Sequence, residues 1–456
     1  MNSKIVLRRS LATLSLASVF AIGAFAQVHP AQPGFSSRPG AAYTLFLNFA
    51  GFSFSGTWGG SGSPSGTPGI TPAYTVDGDA TTFNAAELAN IKNVWARVAE
   101  KYVAFNVNVT TVDPSVAAGQ NGTDALRQAY YDSTAQLMQT VIGGGGGWSG
   151  GGGVSFINTT KNAYNPVGQN GGAGPGFHTN WVFSAQAPNN LQFIGEATAH
   201  EDGHGLNVLH QSDFNGNTKV NEYSSGSGTG NGSYAPIMGN SYSTQRGTWR
   251  VGDTGSTNNR RTQNDVAQLL GNPNMTSFMD DGVGHTMGTA TPLAVASGNV
   301  DPSQAKGFIT PASSANPQAV GAYTKDYFAF RATGGLVNLV LRNGSQYITP
   351  GVADPGATLR STLSIFDSVG SLVGTSVLDG STMFSTFSAS LGQGDYFAEV
   401  TSTGGFSHTG SFGTQQYFEM GSYFLTGSGV QAVPEPATMA ALGLGALALL
   451  RRRRKA

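Results

Sequence analysis

His200, Glu201 and His204, followed by His210, are the residues of this sequence best suited to chemistry. Helical character runs from Leu191 to His204, and histidines four apart on a helix lie one turn apart on one face, so both imidazoles can reach a single ion. Glu201 stands beside them, able to hold a water against that ion. His210, six residues past His204, can supply a third ligand if the chain turns sharply, and Gly205 and Asn207 accept the left-handed conformation that such a turn demands. Three protein ligands with one open position are what a catalytic zinc ion needs. The chain has no cysteine, which leaves histidine and carboxylate as the strong metal ligands.

The window resembles the long zinc signature of the metzincin metallopeptidases, His-Glu-x-x-His-x-x-Gly-x-x-His, at His200, Glu201, His204 and His210. Asn207 stands where that signature has glycine, and Asn is the non-glycine residue that best tolerates positive φ. Downstream, Tyr234-Ala235-Pro236-Ile237-Met238-Gly239 resembles the tight turn whose methionine lies beneath the zinc in that clan, with Met238 as the base. The resemblance implies zinc on the three histidines, Glu201 as general base toward a protein or peptide substrate, and Tyr242 or Tyr234 steadying the oxyanion.

The elements that must hold these residues are legible upstream. Tyr43 to Phe49 reads as a buried strand, and Asn84 with Glu87 reads as the cap of a helix whose apolar face is Leu88, Ile91, Trp95, Val98 and Tyr102. Asn106 to Val112, Leu137 to Ile142, Val154 to Ile157 and Thr179 to Phe183 read as strands, and Asn264 to Leu270 as a last helix. Trp148 within the glycine tract from Gly143 to Gly153 argues for order there. The order of elements resembles the metzincin catalytic domain, which implies an α+β fold: a twisted mixed sheet with an active-site helix and a Met-turn. By position, Val154 to Ile157 would be the cleft strand that receives an extended peptide.

From Gly307 the sequence changes to short alternating runs, such as Val337 to Leu341 and Tyr396 to Val400, the pattern of an all-β sandwich. Asp326-Tyr327-Phe328, Leu363 to Gly370 and Gly394-Asp395-Tyr396 resemble the pre-peptidase C-terminal domain of secreted peptidases. The expected division is a signal peptide at 1–26, a flexible lead-in at 27–42, a metallopeptidase domain at 43–284, a linker at 285–306, the sandwich at 307–430 and a sorting segment at 431–456.

Basic residues, an apolar run and Ala24-Phe25-Ala26 mark a secretory signal peptide, a substrate for signal peptidase. At the other end Val433-Pro434-Glu435-Pro436, an uncharged run to Leu450 and Arg451 to Arg454 resemble the PEP-CTERM sorting signal of Gram-negative bacteria. About fourteen helical residues rise about 21 Å, and arginines can snorkel to the cytoplasmic face, so the run makes a transient transmembrane helix that presents the Pro-Glu-Pro site to an exosortase-type enzyme. Delivery to the cell surface or beyond follows. A net charge of −1 with 11% charged residues argues against a nucleic-acid partner. Calcium is a second cation to consider, at the acidic turn Asp77-Gly78-Asp79. The alternative to a peptidase is a non-catalytic surface or matrix protein with a structural zinc site and a glycan-binding sandwich.

Overall fold

The structure, a computed structural model, describes residues 29–59, 66–160, 177–311, 323–344, 354–380, 382–403 and 420–433. The expected signal peptide at 1–26, residues 161–176 and the sorting segment from Pro434 onward lie outside the described residues. No helix among the described residues is long and apolar enough to cross a membrane.

The first unit is built on strands β1 (Tyr43–Asn48), β2 (Phe52–Phe54), β3 (Gly69–Thr71), β4 (Val107–Thr110), β5 (Leu137–Ile142), β6 (Gly153–Val154) and β7 (Thr179–Val182). Its main sheet has the order β4-β1-β5-β7-β6, parallel except for β6, which runs antiparallel along the edge. β5 and β7 are buried along their whole length, as central parallel strands covered on both faces must be. Alternation along β1 sends Tyr43, Leu45 and Leu47 into the core shared with the helices, and Phe46 into a second core of Trp58, Trp181, Phe156 and Phe177. Trp148 packs into that aromatic cluster with its ring 5.1 Å from Trp181, so the glycine tract is seated there. Gly146, at φ +69°, has no room for a side chain, because a Cβ would come within 2.5 Å of the Phe183 ring.

Helix α1 (Ala85–Lys101) begins with a capping box in which Asn84 accepts from the Glu87 backbone and the Glu87 carboxylate accepts from Asn84. Ile91, Trp95, Val98 and Tyr102 are buried, whereas Leu88 is 38% exposed. Two short helices, α2 (Pro114–Ala117) and α3 (Asp124–Ser133), precede the long α4 (Leu191–Gly205), and α5 (Asp265–Leu270) closes the unit with Asn264 as its cap. Where α1 crosses α4, Arg97 Nη1 donates to Glu196 Oε1 at 2.7 Å and Lys101 Nζ approaches the same oxygen at 3.1 Å, all three side chains being buried. Burial works against the Glu196 carboxylate, and the charges of Lys101 and Arg97 outweigh it, holding the group below its ordinary range.

The second unit packs two sheets face to face. One contains Thr291–Pro292, Lys325–Ala332, Gly394–Ser402, Ser361–Asp367, Leu372–Val377 and Val430–Ala432; the other contains Val295–Ala296, Asn299–Val300, Lys306–Ile309, Gly421–Ser428, Gly335–Asn343 and Phe384–Leu391. Inward residues such as Phe328, Phe330, Leu339, Leu341, Leu363 and Val400 form its core.

Four expectations are corrected. The chain is not of the α+β, metzincin-like class: 18% of the described residues are helical and the architecture is mostly β-sheet, because the glycine- and threonine-rich segments after α4 form short strand pairs and the described residues from Thr291 to Ala432 form the sandwich. The residues expected as a linker at 285–306 supply three sandwich strands, with Leu293 and Ala305 in its core. The lead-in is seated from His29 onward: Phe35 stacks on Trp95 at 5.0 Å and the Gln32 carboxamide joins Phe49 N to Thr111 O. The cleft strand is short, Gly153–Val154, and Ile157 is 41% exposed.

Removal of one partner from a buried ion cluster leaves the others charged without compensation. Glu196→Ala should therefore lower the unfolding free energy by about 3–5 kcal/mol in urea titrations; a loss below about 1 kcal/mol would mean that the cluster does not hold α1 to α4.

Candidate metal centre

Helix α4 starts at Asn190, whose side chain accepts from Phe193 N, and is buried on all sides from Ile194 to Gly205. A helix so enclosed is ordinarily apolar all round, yet this one carries Glu196, Thr198, His200, Glu201, Asp202 and His204. Its close packing depends on two glycines. A Cβ on Gly203 would lie 2.7 Å from Met238 Sδ, and one on Gly205 would lie 2.4 Å from Met138 Sδ. Met238 is thus packed against the helix one residue before His204. Gly205 stays helical rather than left-handed, and the turn toward His210 falls on Asn207 at φ +73°.

That turn brings the three histidines together, with their ligand atoms within 4.8 Å of one another. His200 Nδ1 donates to Ile237 O at 2.8 Å, His204 Nδ1 to Val208 O at 2.8 Å and His210 Nδ1 to Glu222 Oε1 at 2.6 Å. Because each of these partners can only accept, each Nδ1 carries the proton and each Nε2 keeps its lone pair. His204 Nε2 and His210 Nε2 lie 3.0 Å apart. Burial first, and then the neighbouring imidazoles, push His200 far below its ordinary value and His204 down to about 3; burial also lowers His210. Three neutral nitrogens, each fixed from behind by an acceptor, fit the first and second shells of a three-histidine zinc site.

Glu201 is buried beside them and makes no side-chain hydrogen bond among the described residues. Burial, and then the charge of Asp202, raise its pKa well above the usual carboxylate range. It lies against the edge strand, since a Cβ on Gly153 would be 2.5 Å from Glu201 Oε1. Asp202 points the other way, accepting from Thr140 Oγ1 at 2.5 Å and Asn180 Nδ2 at 3.3 Å, with burial raising it to about 7. Tyr242 has its ring 6.3 Å from His200, while Tyr234 is buried on the strand Tyr234–Pro236 that leads into Ile237.

Two residues at the site had no mark in the sequence. Glu222 and Tyr223 follow the hairpin of Asp213–Asn215 and Thr218–Asn221; Glu222 is bonded to His210 and to Lys219 Nζ at 2.6 Å, and the Tyr223 ring sits 4.6 Å from that of His210. Only the adjacency of an acid and a tyrosine shortly after the third histidine could have pointed to them. At the acidic turn the carboxylates are engaged by their own neighbours: Asp77 accepts from Thr75, Asn84 and Asp79 N, and Asp79 accepts from Thr81 and Thr82.

Comparison with known proteins adds the following. Residues 432–455 match the PEP-CTERM protein-sorting motif. The chain therefore carries the signal that an exosortase-type sorting enzyme recognises, a mark of export and surface sorting in Gram-negative bacteria. Among solved structures, the 1.0 Å crystal structure of the pre-peptidase C-terminal domain of collagenase from Bacillus anthracis is similar at 14% identity, covering 28% of this chain and 85% of that one, with a TM-score of 0.17. The search of curated proteins returned no match.

If Glu222 orients His210, Glu222→Ala should weaken zinc binding by about 10–100-fold in competition with a chelator. An affinity equal to wild type would show that His210 needs no carboxylate behind it.

Proposed function

We propose that the chain is a secreted or surface-sorted zinc-dependent endopeptidase. The observation that supports this reading best is the convergence of His200, His204 and His210, each with its Nδ1 proton committed elsewhere, beside a carboxylate that has no other partner among the described residues. His200, His204 and His210 would hold the ion, and a bound zinc ion would supply Lewis acidity toward a scissile carbonyl and lower the pKa of water toward about 7. Three protein ligands rather than four suit a catalytic site over a closed structural one, and among the described residues the group has three members.

The remaining work falls to the chain's own side chains. Glu201 takes the proton of the attacking water and passes it to the leaving amine. A cation held among the imidazoles would oppose the burial that raises the Glu201 pKa and favour the ionised carboxylate that a general base requires. β6 is the edge of the sheet and lies against Glu201, so an extended peptide that adds there through backbone hydrogen bonds runs past the carboxylate. Gly153 keeps that approach open. Tyr242 and Tyr223 flank the histidines, their rings 6.4 Å apart, and offer phenol donors to an oxyanion.

Glu201→Ala should keep one zinc per chain and lose cleavage of casein or gelatin. Wild-type turnover in that variant would refute the mechanism. For the tail, intact-mass spectrometry of protein from the native host should find a species that lacks residues 1–26 and the segment after Pro436; a species keeping Ala437 to Ala456 would mean a permanent membrane anchor.

A further inference from the structure

The two units meet over a set of charged side chains that belong to the first unit and are covered by the second. Glu100, near the end of α1, is 4% exposed and accepts from four groups of the sandwich: Ser422 N at 3.0 Å, Ser422 Oγ, Thr358 N at 3.4 Å and Thr358 Oγ1 at 3.1 Å. Lys101 Nζ donates to Gly356 O at 3.3 Å while it also donates to Gly247 O at 2.8 Å and approaches Glu196. Arg246 is 1% exposed and gives Nη1 to two sandwich carbonyls, Asp354 O at 2.9 Å and Ala357 O at 2.8 Å. Gly356 lies on Arg97, where a Cβ would be 3.4 Å from Arg97 Cγ.

Two routes run from this contact to the histidines, one through Arg97 and Lys101 and one through Arg246; Glu100, next to Lys101, ties the end of α1 that carries the first of them to the sandwich. Arg97 and Lys101, held from outside by the sandwich, grip Glu196, which lies four residues before His200 on α4. Arg246 begins the strand Arg246–Thr248, which pairs in parallel with Tyr234–Pro236; Ile237 N then donates to Thr248 O at 3.0 Å, and Ile237 O is the acceptor that fixes His200 Nδ1. Met238, packed on Gly203, is the next residue. Without the sandwich, Glu100 would lose its four donors, Lys101 the Gly356 carbonyl and Arg246 the Asp354 and Ala357 carbonyls, and both routes would lose their outer support.

We propose that the C-terminal sandwich is the positioning element of the metal helix, so that the three-histidine site holds its ion tightly only while residues 354–358 and 420–423 are docked on α1 and on the strand Arg246–Thr248. This rests on the reading of α4 as the metal-binding helix. It makes the sandwich an obligate part of the enzyme rather than a detachable accessory. It also places the completion of the site late in synthesis, because Ser422 lies only a dozen residues before the Pro-Glu-Pro segment.

The test uses the full chain with Thr358→Val and Ser422→Val combined, which removes both hydroxyl donors from Glu100 and leaves the histidines, Glu201 and the backbone donors in place. Zinc should pass to a chelator faster by on the order of ten-fold, and amide exchange along 191–205 should speed up while the sandwich strand Gly335–Asn343 keeps wild-type protection. Unchanged zinc loss together with unchanged protection of α4 would overturn the proposal. Should this variant fail to fold, a specific protease site inserted after the exposed Gly288 serves instead: the two cut fragments should stay together and keep zinc, and an amino-terminal fragment that separates yet holds zinc at the wild-type rate would overturn the proposal. A wild-type chain that takes up no zinc would refute the peptidase reading and with it the part of the proposal that concerns the ion, while unchanged exchange of α4 in the variant would separately overturn the support of that helix by the sandwich.

Discussion

The pairing of the buried Glu196 carboxylate with Arg97 and Lys101 is the interaction on which the arrangement of the first unit rests. A lone carboxylate at that depth would be neutralised or expelled; with two cations on one oxygen it is held below its ordinary range, and it fixes the depth and rotation of α4 against α1. The direction of the histidines follows from that rotation. His200 and His204 share the face reached by Ile237 O and Val208 O, while Asp202 is turned to Thr140 and Asn180 on the sheet. Buried charge of this kind adds little net stability compared with an apolar core, but it admits very few alternative packings, which is what a site built from several elements requires.

The same desolvation acts on the histidines and on Glu201 in opposite senses. Burial disfavours charge, so it favours neutral imidazoles able to donate lone pairs, and it makes a carboxylate reluctant to ionise until a cation is near. One environment thereby suits both groups to the metal-assisted hydrolysis proposed for this site. His210 differs from its two companions, because its Nδ1 faces a carboxylate that is itself half-exposed and tied to Lys219, so the third ligand is the one most open to adjustment from the surface.

The sandwich occupies the stretch between the first unit and the sorting signal, and its last strand, Val430–Ala432, pairs with Lys325–Ala332 immediately before Pro434. A cut at the Pro-Glu-Pro segment would therefore leave every described strand in place. With Glu100, Lys101 and Arg246 buried under it, the sandwich is joined to the first unit by hydrogen-bonded polar groups rather than by a loose apolar contact, and those bonds would be lost if the two parted.

What the sequence by itself determined is local. The four-residue spacing of His200 and His204, the Asn84–Glu87 capping box, the tolerance of Asn207 for positive φ and the alternation of Val337 to Leu341 are all properties of a few consecutive residues, and each stands in the structure where its spacing put it. Tertiary structure decided the rest. It placed Glu222 behind His210 and Tyr223 beside it, seated Phe35 on Trp95, drew the residues from Thr291 to Val300 into the sandwich, and made the chain as a whole mostly β where a helix-and-sheet class was expected. The bond from Ser422 to Glu100 spans 322 residues. No periodicity or propensity encodes such a pairing, because it comes into being only when two surfaces, each formed by its own core, meet and exclude the water between them.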